Sequence, residues 1–155
     1  MSTKITQPDA KIFGAGVFHV HCAFQKYFII RYNTDGSIDL GFGTKGMVVN
    51  EFAQRPSLNS LILQPDGKIL GQGTIYGADA DYSKSFLVRY NSDGTIDAAF
   101  GNRGFIINDA SSISSFSRQS DGKIVVTSDS IPYSLAEHNL VRYTGIVHFE
   151  LVFVF

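Results

Sequence analysis

Hydrophobic residues along the chain occur in short runs of strand length, each ended by a tight polar turn. In the middle of the chain the runs predict strands at Ser60–Gln64, Lys68–Ile75 and Phe86–Tyr90, and a fourth starting with Thr95–Phe100. The Pro-Asp-Gly and Asn-Ser-Asp-Gly sequences between them favour turns, because Pro presets φ, Asp bonds nearby backbone and Gly accepts positive φ. No window of helical length shows helical periodicity. The pattern predicts a four-stranded antiparallel unit made of two hairpins.

This unit occurs nearly three times. Its middle copy has Gln-Pro-Asp-Gly-Lys-Ile at 64–69, Arg-Tyr-Asn-Ser-Asp-Gly-Thr-Ile-Asp at 89–97 and Phe-Gly at 100–101. The first copy has these segments at 7–12, 31–39 and 42–43, and the third begins at 119–124 and stops matching after 142–143. The period fits propeller blades or a solenoid, although it is slightly long for either common class. The four-stranded antiparallel unit is that of a β-propeller blade. We therefore expect one repeat domain, 1–155, with blades at 3–52 and 58–110 and a partial blade at 113–155.

The two good copies resemble the bacterial delta-60 repeat. The resemblance is carried by Leu-x-Leu-Gln-Pro-Asp-Gly-Lys-Ile and Phe-Leu-Val-Arg-Tyr-Asn-x-Asp-Gly-Thr-Ile-Asp-x-x-Phe-Gly-x-x-Gly, and it covers residues 3–143. It implies an all-β fold of propeller-like blades. The family is defined by its repeat, so the resemblance implies no reaction, and it suggests surface or secreted relatives. More distantly, the alternation of strands and turns is similar to that of NHL-type repeats, which mostly serve as binding platforms.

The end of the chain departs from the repeat. After Arg142 and Tyr143, segment 144–155 replaces the expected Asn-x-Asp-Gly turn, and its apolar residues alternate. This segment is either a substitute fourth strand or the read-through of a truncated gene, and the sequence leaves both open.

Fewer than three full blades cannot close a ring, because propellers have roughly four to eight. An open arc would expose apolar faces and strand edges. Two chains of about three blades each would close a ring of about six. We therefore expect a homo-oligomer, most simply a dimer.

Composition narrows the class of protein. The 155 residues are 44% hydrophobic and 17% charged, which is typical of a globular domain. A net charge of −1 without a basic block argues against a nucleic-acid partner. No apolar run approaches the roughly 18 residues of a membrane helix, and residues 1–7 lack a signal-peptide core, so the default location is cytoplasmic. The single cysteine, Cys22, cannot form an intrachain disulfide.

Two motifs suggest metal ligands. Segments 33–38 and 91–96 resemble the centre of an EF-hand loop, but such a loop needs an acid at its first position and a Glu at its twelfth. Those positions hold a cation and an aromatic ring in both copies: Arg31, Arg89, Phe42 and Phe100. An Asx-stabilised hairpin turn is therefore favoured.

His19 and His21 form the second motif. They alternate on a predicted strand and could bind zinc or copper, with Cys22 pointing away. A third ligand is missing nearby, so a polar loop is favoured, and we predict neither metal nor cofactor.

The sequence predicts no catalytic residue. Cys22 lacks a base that would face it on an extended strand, because His21 is its direct neighbour. Asp9, Asp66 and Asp121 occupy the same turn of different blades, so they are turn formers and not a glycosidase pair. No nucleophile elbow, phosphate loop or dinucleotide fingerprint is present.

An arginine recurs in the apolar third strand, at Arg31, Arg89 and Arg142. A buried guanidinium must be paired, so we predict that it bonds to Asp turns or to backbone carbonyls of a neighbouring blade. The alternative is an anion site that faces a ligand.

The copies differ most in the loops between strands two and three. These loops, 18–26, 76–84 and 129–138, lie on the rim opposite the Asp-Gly turns. They carry different chemistry, namely His, Cys and Phe in the first; Asp79, Ala80, Asp81 and Tyr82 in the second; and Pro132, Tyr133, Glu137 and His138 in the third. Recognition usually uses loops on a rigid scaffold. If the protein binds a ligand, this rim is where we expect it first, although simple drift of these loops explains their divergence equally well.

The sequence therefore predicts a non-enzymatic interaction or scaffold module. One alternative is a propeller that binds a carbohydrate or peptide through the variable loops. Another is a propeller lyase or hydrolase with acids and His side chains around the channel, for which only four histidines are available: His19, His21, His138 and His148.

Overall fold

The chain forms three four-stranded antiparallel sheets in a computed structural model, which confirms the all-β, blade-like fold class. The structure describes residues 3–7, 9–21, 24–52, 54–77, 83–108, 111–130, 138–143 and 149–154. In the described part of the chain, no helix has the length and apolarity that crossing a membrane requires.

Each sheet is one blade, and its strands pair in chain order. Blade 1 contains β1 (Thr3–Thr6), β2 (Ile12–His21), β3 (Phe24–Tyr32) and β4 (Met47–Glu51). Blade 2 contains β5 (Arg55–Leu63), β6 (Ile69–Tyr76), β7 (Ser83–Tyr90) and β8 (Phe105–Asn108). Blade 3 contains β9 (Ser111–Arg118), β10 (Ile124–Ser130), β11 (His138–Tyr143) and β12 (Phe149–Val154).

The second and third strands keep one register in all three blades. The residue that faces the repeated arginine across the ladder is Phe13 for Arg31, Leu70 for Arg89 and Val125 for Arg142. The repeated sequence therefore places equivalent residues at equivalent positions of each sheet.

The expected start of the fourth strand at Thr95–Phe100 is wrong. This segment is a loop, whose pairing with β7 is an isolated bridge between Tyr90 and Ile96, and the fourth strand is Phe105–Asn108. The Asp97 carboxylate accepts a hydrogen bond from the Ala99 backbone N–H at 3.2 Å. This local bond turns the backbone away from the sheet before an extended strand can form.

Blade 3 ends with the divergent C-terminal segment. Its strand β12 pairs antiparallel with β11, and Glu150 lies opposite Arg142. The interpretation of this segment as a substitute fourth strand is thus confirmed for the backbone of residues 149–154. Segment 144–148, where the repeat predicts a turn, lies outside the described residues.

The blades pack face to face. Strand β5 lies against β1, β2 and β3 of blade 1, and β9 lies against β6 and β7 of blade 2. The core between blades 1 and 2 contains large buried side chains from both: Phe13, Tyr27, Ile29, Phe42, Leu58, Leu61, Ile69, Phe86, Val88 and Tyr90. A second core between blades 2 and 3 contains Leu70, Leu87, Phe100, Ile113, Ile124 and Val126. Alternate residues of β6 and β7 therefore serve two different cores, as expected of strands covered on both faces.

Candidate functional site

The first blade gathers two cations on one carboxylate. Asp39 Oδ2 accepts hydrogen bonds from Lys11 Nζ at 2.8 Å and from Arg31 Nε at 2.7 Å. Its Oδ1 accepts a bond from the Gly41 backbone N–H at 3.0 Å. The Lys11 bond is the largest influence on this carboxyl, and together these contacts lower the pKa of Asp39 to about 2. Asp39 is therefore ionised at neutral pH and holds the start of β2 and the end of β3 together.

Blade 2 repeats the cluster. Asp97 Oδ2 accepts bonds from Lys68 Nζ at 2.8 Å and from Arg89 Nε at 2.7 Å. Burial raises the pKa of Asp97, but the hydrogen bonds and charges of Lys68 and Arg89 outweigh burial, so the pKa lies below its ordinary value. Neither cluster offers an unsatisfied carboxylate for acid–base chemistry.

Each clustered arginine also lies over a phenylalanine ring of its own blade. The guanidinium carbon of Arg31 is 4.8 Å from the centre of the Phe42 ring, and that of Arg89 is 4.6 Å from the Phe100 ring. This contact adds cation–π attraction to the ion pair. The predicted structural role is confirmed for Arg31 and Arg89, while the side chain of Arg142 lies outside what the structure describes.

Arg31 also reaches the neighbouring blade. We call the turn at residues 91–94 of blade 2 the plug, and Arg31, Phe42 and Gly43 of blade 1 the socket. Arg31 Nη1 donates a hydrogen bond to the Ser92 carbonyl at 2.7 Å, and the Gly43 backbone N–H donates to the Asp93 carbonyl at 2.7 Å. The plug is thus held at two backbone carbonyls.

Close packing makes the plug depend on glycine. A Cβ added at Gly94 would lie 2.9 Å from the Gly43 nitrogen and 2.9 Å from the Phe42 ring. The φ angle of Gly94 is 91°, in the left-handed region. Gly94 therefore satisfies both the turn conformation and the contact between blades.

A buried hydrogen-bonded group lies elsewhere in the contact between blades 1 and 2. We call such a contact between consecutive blades a joint. The hydroxyls of Tyr27 and Tyr90 are 2.7 Å apart, and Asn50 Nδ2 donates to the Tyr90 hydroxyl at 2.7 Å. Burial is the main reason that the pKa values of both phenols lie above the ordinary value. Both tyrosines therefore stay neutral, and they connect blade 1 to blade 2 through polar atoms inside an apolar core.

The Asp-Gly motifs are turns, as the sequence predicted. Asp35 Oδ1 accepts bonds from the Ser37 N–H at 2.9 Å and the Ser37 hydroxyl at 2.6 Å, and Asp93 Oδ1 is bonded in the same way by Thr95. The three aspartates of the first turns each accept a bond from the backbone N–H two residues on: Asp9, Asp66 and Asp121. These carboxylates therefore stabilise separate turns in separate blades.

The histidine motif lies where the β2–β3 ladder is irregular. His19 pairs with Gln25 and His21 with Phe24, so strict alternation is interrupted between the two histidines. His19 Nδ1 is hydrogen-bonded to Gln25 Nε2 at 3.1 Å, while Cys22 lies outside the described residues. Among the residues that the structure describes, no group of three His, Cys, Asp or Glu side chains is placed to hold a metal.

An open cleft lies beside the plug. Its volume is about 610 Å³, and it is bordered by residues 47–49 of β4 and residues 93–95 of blade 2. Its acid, Asp93, is already bonded to Thr95. The cleft therefore follows the seam between blades, with the Asp93 carboxylate bonded into its own turn at the border.

The first variable loop was expected at 18–26, but residues 18–21 and 24–26 lie in β2 and β3, so this extent is wrong. The second and third loops are described only at their ends. Residues 22–23, 78–82 and 131–137 lie outside the described part, so the predicted loop chemistry stays a prediction. Phe18 and Tyr76, beside the first two loops, are 41% and 46% exposed.

Sequence reasoning missed three of these arrangements. It did not pair Lys11 or Lys68 with the aspartate of the Ile-Asp segment, did not anticipate the contact between Tyr27 and Tyr90, and did not place the plug. For the lysines and the plug a signal existed, because Gly-Lys-Ile, Thr-Ile-Asp and Asn-x-Asp-Gly recur at fixed separations. For Tyr27 there was no such signal, since the second copy has Ser85 at that position.

Stacked four-stranded antiparallel sheets of repeated sequence define a protein of the β-propeller type. Comparison with known families agrees. Residues 7–42 and 64–100 match the family described as "Domain of unknown function (DUF5122) beta-propeller". The chain is therefore a β-propeller-type repeat protein, and the more specific delta-60 name stays a prediction. No curated protein matches the chain.

Proposed function

We propose that this chain is a non-enzymatic interaction or scaffold module, an open arc of propeller blades that assembles with further copies to close a ring. One observation carries the proposal. The face that blade 2 buries against blade 1 includes Phe86, Val88 and Tyr90, each 0% exposed. The equivalent side chains of blade 1 form a face on the side away from blade 2: Ile12, Phe28, Ile30 and Tyr32.

This apolar face of blade 1 is only partly covered. Phe18 is 41% exposed and stacks on Phe28 with ring centres 4.4 Å apart, so two aromatic rings reach the edge of the face. Ile12, Phe28 and Tyr32 are half-buried, whereas their blade 2 equivalents are fully buried. A contiguous apolar surface next to a built sheet is typical of an association site.

The number of blades in one chain supports closure of a ring by association of two chains. The described chain forms three sheets. Closed propellers have roughly four to eight blades, and two copies of three blades give a number inside this range. The smallest assembly that satisfies both faces is a dimer.

The repeated polar groups support a non-enzymatic role. Asp39 and Asp97 each bind two cations, and Asp35 and Asp93 are bonded within their turns. These bonds explain why the same residue types recur in successive blades without invoking catalysis.

Sedimentation equilibrium of the purified chain tests the assembly. We expect a mass that is a multiple of the 17.0 kDa of one chain, with twice that mass as the simplest result. A well-folded species that keeps the mass of one chain at every accessible concentration would contradict the proposal.

A second candidate function is binding of a carbohydrate or peptide at the variable-loop rim. The exposed rings of Phe18 and Tyr76 favour it, because exposed aromatic side chains stack on sugars and on peptide side chains. Saturable, stoichiometric binding on a glycan or peptide panel that Tyr76→Ser abolishes would support this function. The matched control is Ile107→Ser, which changes a side chain of similar exposure (47%) on the short strand β8.

A further inference from the structure

We propose that the outer strand of blade 3, β12 (Phe149–Val154), pairs edge to edge with β12 of a second copy of this chain. The contact is antiparallel and two-fold, so it joins the third blades of two copies into one continuous sheet. It uses a strand edge and not the faces on which blades stack. It therefore goes beyond the proposed ring and does not rest on it.

Strand β12 ends its sheet. The strand order of blade 3 is β12-β11-β10-β9, and the described part of the chain contains no strand that pairs with the outer side of β12. The ladder with β11 uses only the inner side of the strand. A strand of six residues is about 20 Å long, and alternate residues direct their backbone N–H and C=O groups to its outer side. This side is a template for a further strand.

Blade 1 partly closes the same edge with its own chain. The Gly46 carbonyl accepts a bond from Arg31 N–H on β3, so the backbone groups of the next residue, Met47, lie on the outer side of β4. There Met47 and Thr44 exchange two backbone hydrogen bonds, at 2.8 and 3.2 Å. The loop between the third and fourth strands thus occupies the start of the outer strand.

Blade 2 closes its edge in the same way. Asn102 and Phe105, the first residue of β8, exchange two backbone bonds at 2.7 and 3.1 Å. The outer strands of these two blades are also short and end in polar residues, with the sequences Met-Val-Val-Asn-Glu and Phe-Ile-Ile-Asn. Short strands with polar ends are among the features that protect sheet edges from pairing.

Blade 3 does not carry the sequence that makes this bridge. The loop between the third and fourth strands is residues 33–46 in blade 1 and 91–104 in blade 2, but only 144–148 separates β11 from β12. Its Gly-x-x-Gly segment, at 43–46 and 101–104, has no counterpart in the sequence of 144–148. Strand β12 is also the longest of the three outer strands, and its sequence, Phe-Glu-Leu-Val-Phe-Val, contains one charged residue. Such an apolar edge strand favours pairing with another chain.

The occupant is the same strand of a second copy. Pairing about a two-fold axis satisfies the outer sides of both strands in one contact. Charge favours the antiparallel direction, because a parallel pair in register would set Glu150 beside its own copy, and like charges directly opposite are destabilising. An antiparallel pair with its axis at Leu151 instead sets Glu150 opposite Val152.

Val152→Lys tests the edge contact. Leu151 pairs with Val141 and Phe153 pairs with Leu140, so Val152 is the one residue of β12 without a partner in β11. Its replacement therefore leaves the ladder within blade 3 in place. A lysine on an edge strand opposes the addition of another strand, because its ammonium group is charged and strongly hydrated. We expect the dissociation constant of the two-chain species to rise at least about tenfold.

Ile107→Lys is the matched control. It places the same charge on the outer strand of blade 2, at a side chain that is 47% exposed, and we expect unchanged association. Sedimentation equilibrium measures wild type and both variants. Equal dissociation constants for all three would overturn the β12 contact and leave the proposed ring standing. A wild-type chain that stays single at every concentration would overturn both.

Disulfide cross-linking determines the direction of pairing and does not depend on the folding of Val152→Lys. Single cysteines at positions 149–153 are introduced into Cys22→Ser, which removes the one native cysteine. In an antiparallel two-fold pair one residue lies opposite itself, so we expect the cross-linked yield to be highest for Leu151→Cys and to fall on both sides. Equal yields at all five positions would indicate a parallel pair and overturn the two-fold arrangement. Yields no higher than that of Ile107→Cys in the same background would overturn the contact itself.

Discussion

Blades 1 and 2 carry nearly the same residues on one face, yet that face has different surroundings in each. In blade 2 it is closed under blade 1, and Phe86, Val88 and Tyr90 are fully buried. In blade 1 the equivalent side chains remain half-buried, with the exception of Ile30, which is 8% exposed. A repeat sequence therefore specifies a face that is suited to burial, while the neighbouring blade decides whether burial occurs.

The opposite faces of the two blades show where the copies have diverged. Tyr27 of blade 1 reaches Tyr90 in the next blade, whereas Ser85, at the equivalent position of blade 2, accepts a hydrogen bond at 2.8 Å from the Ile113 backbone N–H. Both are polar contacts between consecutive blades. Because the side chain that makes the contact is a tyrosine in one joint and the smaller serine in the other, each joint is fitted to its own pair of blades.

The largest expected difference between the blades concerns the equivalent residues Phe86 and Phe28. Phe86→Ala should lower the free energy of unfolding by about 3–5 kcal/mol, because Phe86 is fully buried and contacts the rings of Tyr27 and Phe52. Phe28→Ala should cost less than half as much at a protein concentration where chains are separate. Denaturant unfolding of both variants measures the difference, and equal losses would show that the two faces are equally packed.

The equivalent turn glycines Gly94 and Gly36 should differ next. Gly94→Asn should destabilise the single chain by about 2 kcal/mol more than Gly36→Asn, because only the first forces a side chain against Gly43 and Phe42. Both variants keep a residue that tolerates positive φ, so the difference isolates the joint. Thermal and denaturant unfolding are suitable measurements. Equal stability of the two variants would mean that the 91–94 turn is not held as described.

The dependence of stability on acid pH should report on the charged cluster of blade 1, which consists of Lys11, Arg31 and Asp39. The pKa of Asp39 falls from 3.8 to about 2 on folding, so its contribution is fully present above pH 3.8 and is lost as the pH falls toward about 2. Asp39→Asn should therefore lower the urea midpoint at pH 7 and flatten its decline across this acid range. Asp66→Asn, which changes the same residue type in an exposed turn of blade 2, is the control. An unchanged slope in Asp39→Asn would contradict the assigned ion pairs.

The smallest expected difference concerns two tyrosine hydroxyls. Tyr90→Phe should cost about 1–2 kcal/mol, because it leaves Tyr27 and Asn50 without a buried partner. Tyr32→Phe should change the stability of the separate chain by no more than about 0.5 kcal/mol. Unfolding midpoints at low protein concentration compare the two. A cost at Tyr32 as large as that at Tyr90 would mean that blade 1 already buries this hydroxyl.

Much of the fold could be predicted from the sequence, because alternation, turn residues and the repeat all agree. The mid-sheet position of β7 and the role of Arg31 and Arg89 followed from an arginine in an apolar strand. The fourth strand was misplaced because Thr95–Phe100 has strand-like composition, while a local bond of the Asp97 side chain bends the backbone there. A prediction from local strand propensity does not take such a side-chain hydrogen bond into account.

The joints were harder to predict, because they join residues far apart in sequence. Arg31 and Ser92 come together only once two blades are stacked. The contact of Tyr27 with Tyr90 has no counterpart in the next joint, so comparing the copies does not reveal it. The recurring glycine of the plug was interpreted as a turn former, and its packing role appears only when Phe42 and Gly43 lie against it.

Side-chain footprinting at increasing protein concentration tests the central claim most directly. Hydroxyl radicals report solvent access to Phe28 and Tyr32 on the partly covered face and to Phe86 and Tyr90 in the closed joint. We expect the labelling of Phe28 and Tyr32 to fall toward that of Phe86 and Tyr90 as chains assemble. Labelling of Phe28 and Tyr32 that stays constant while the mass of the species doubles would contradict the claim that this face receives a further blade.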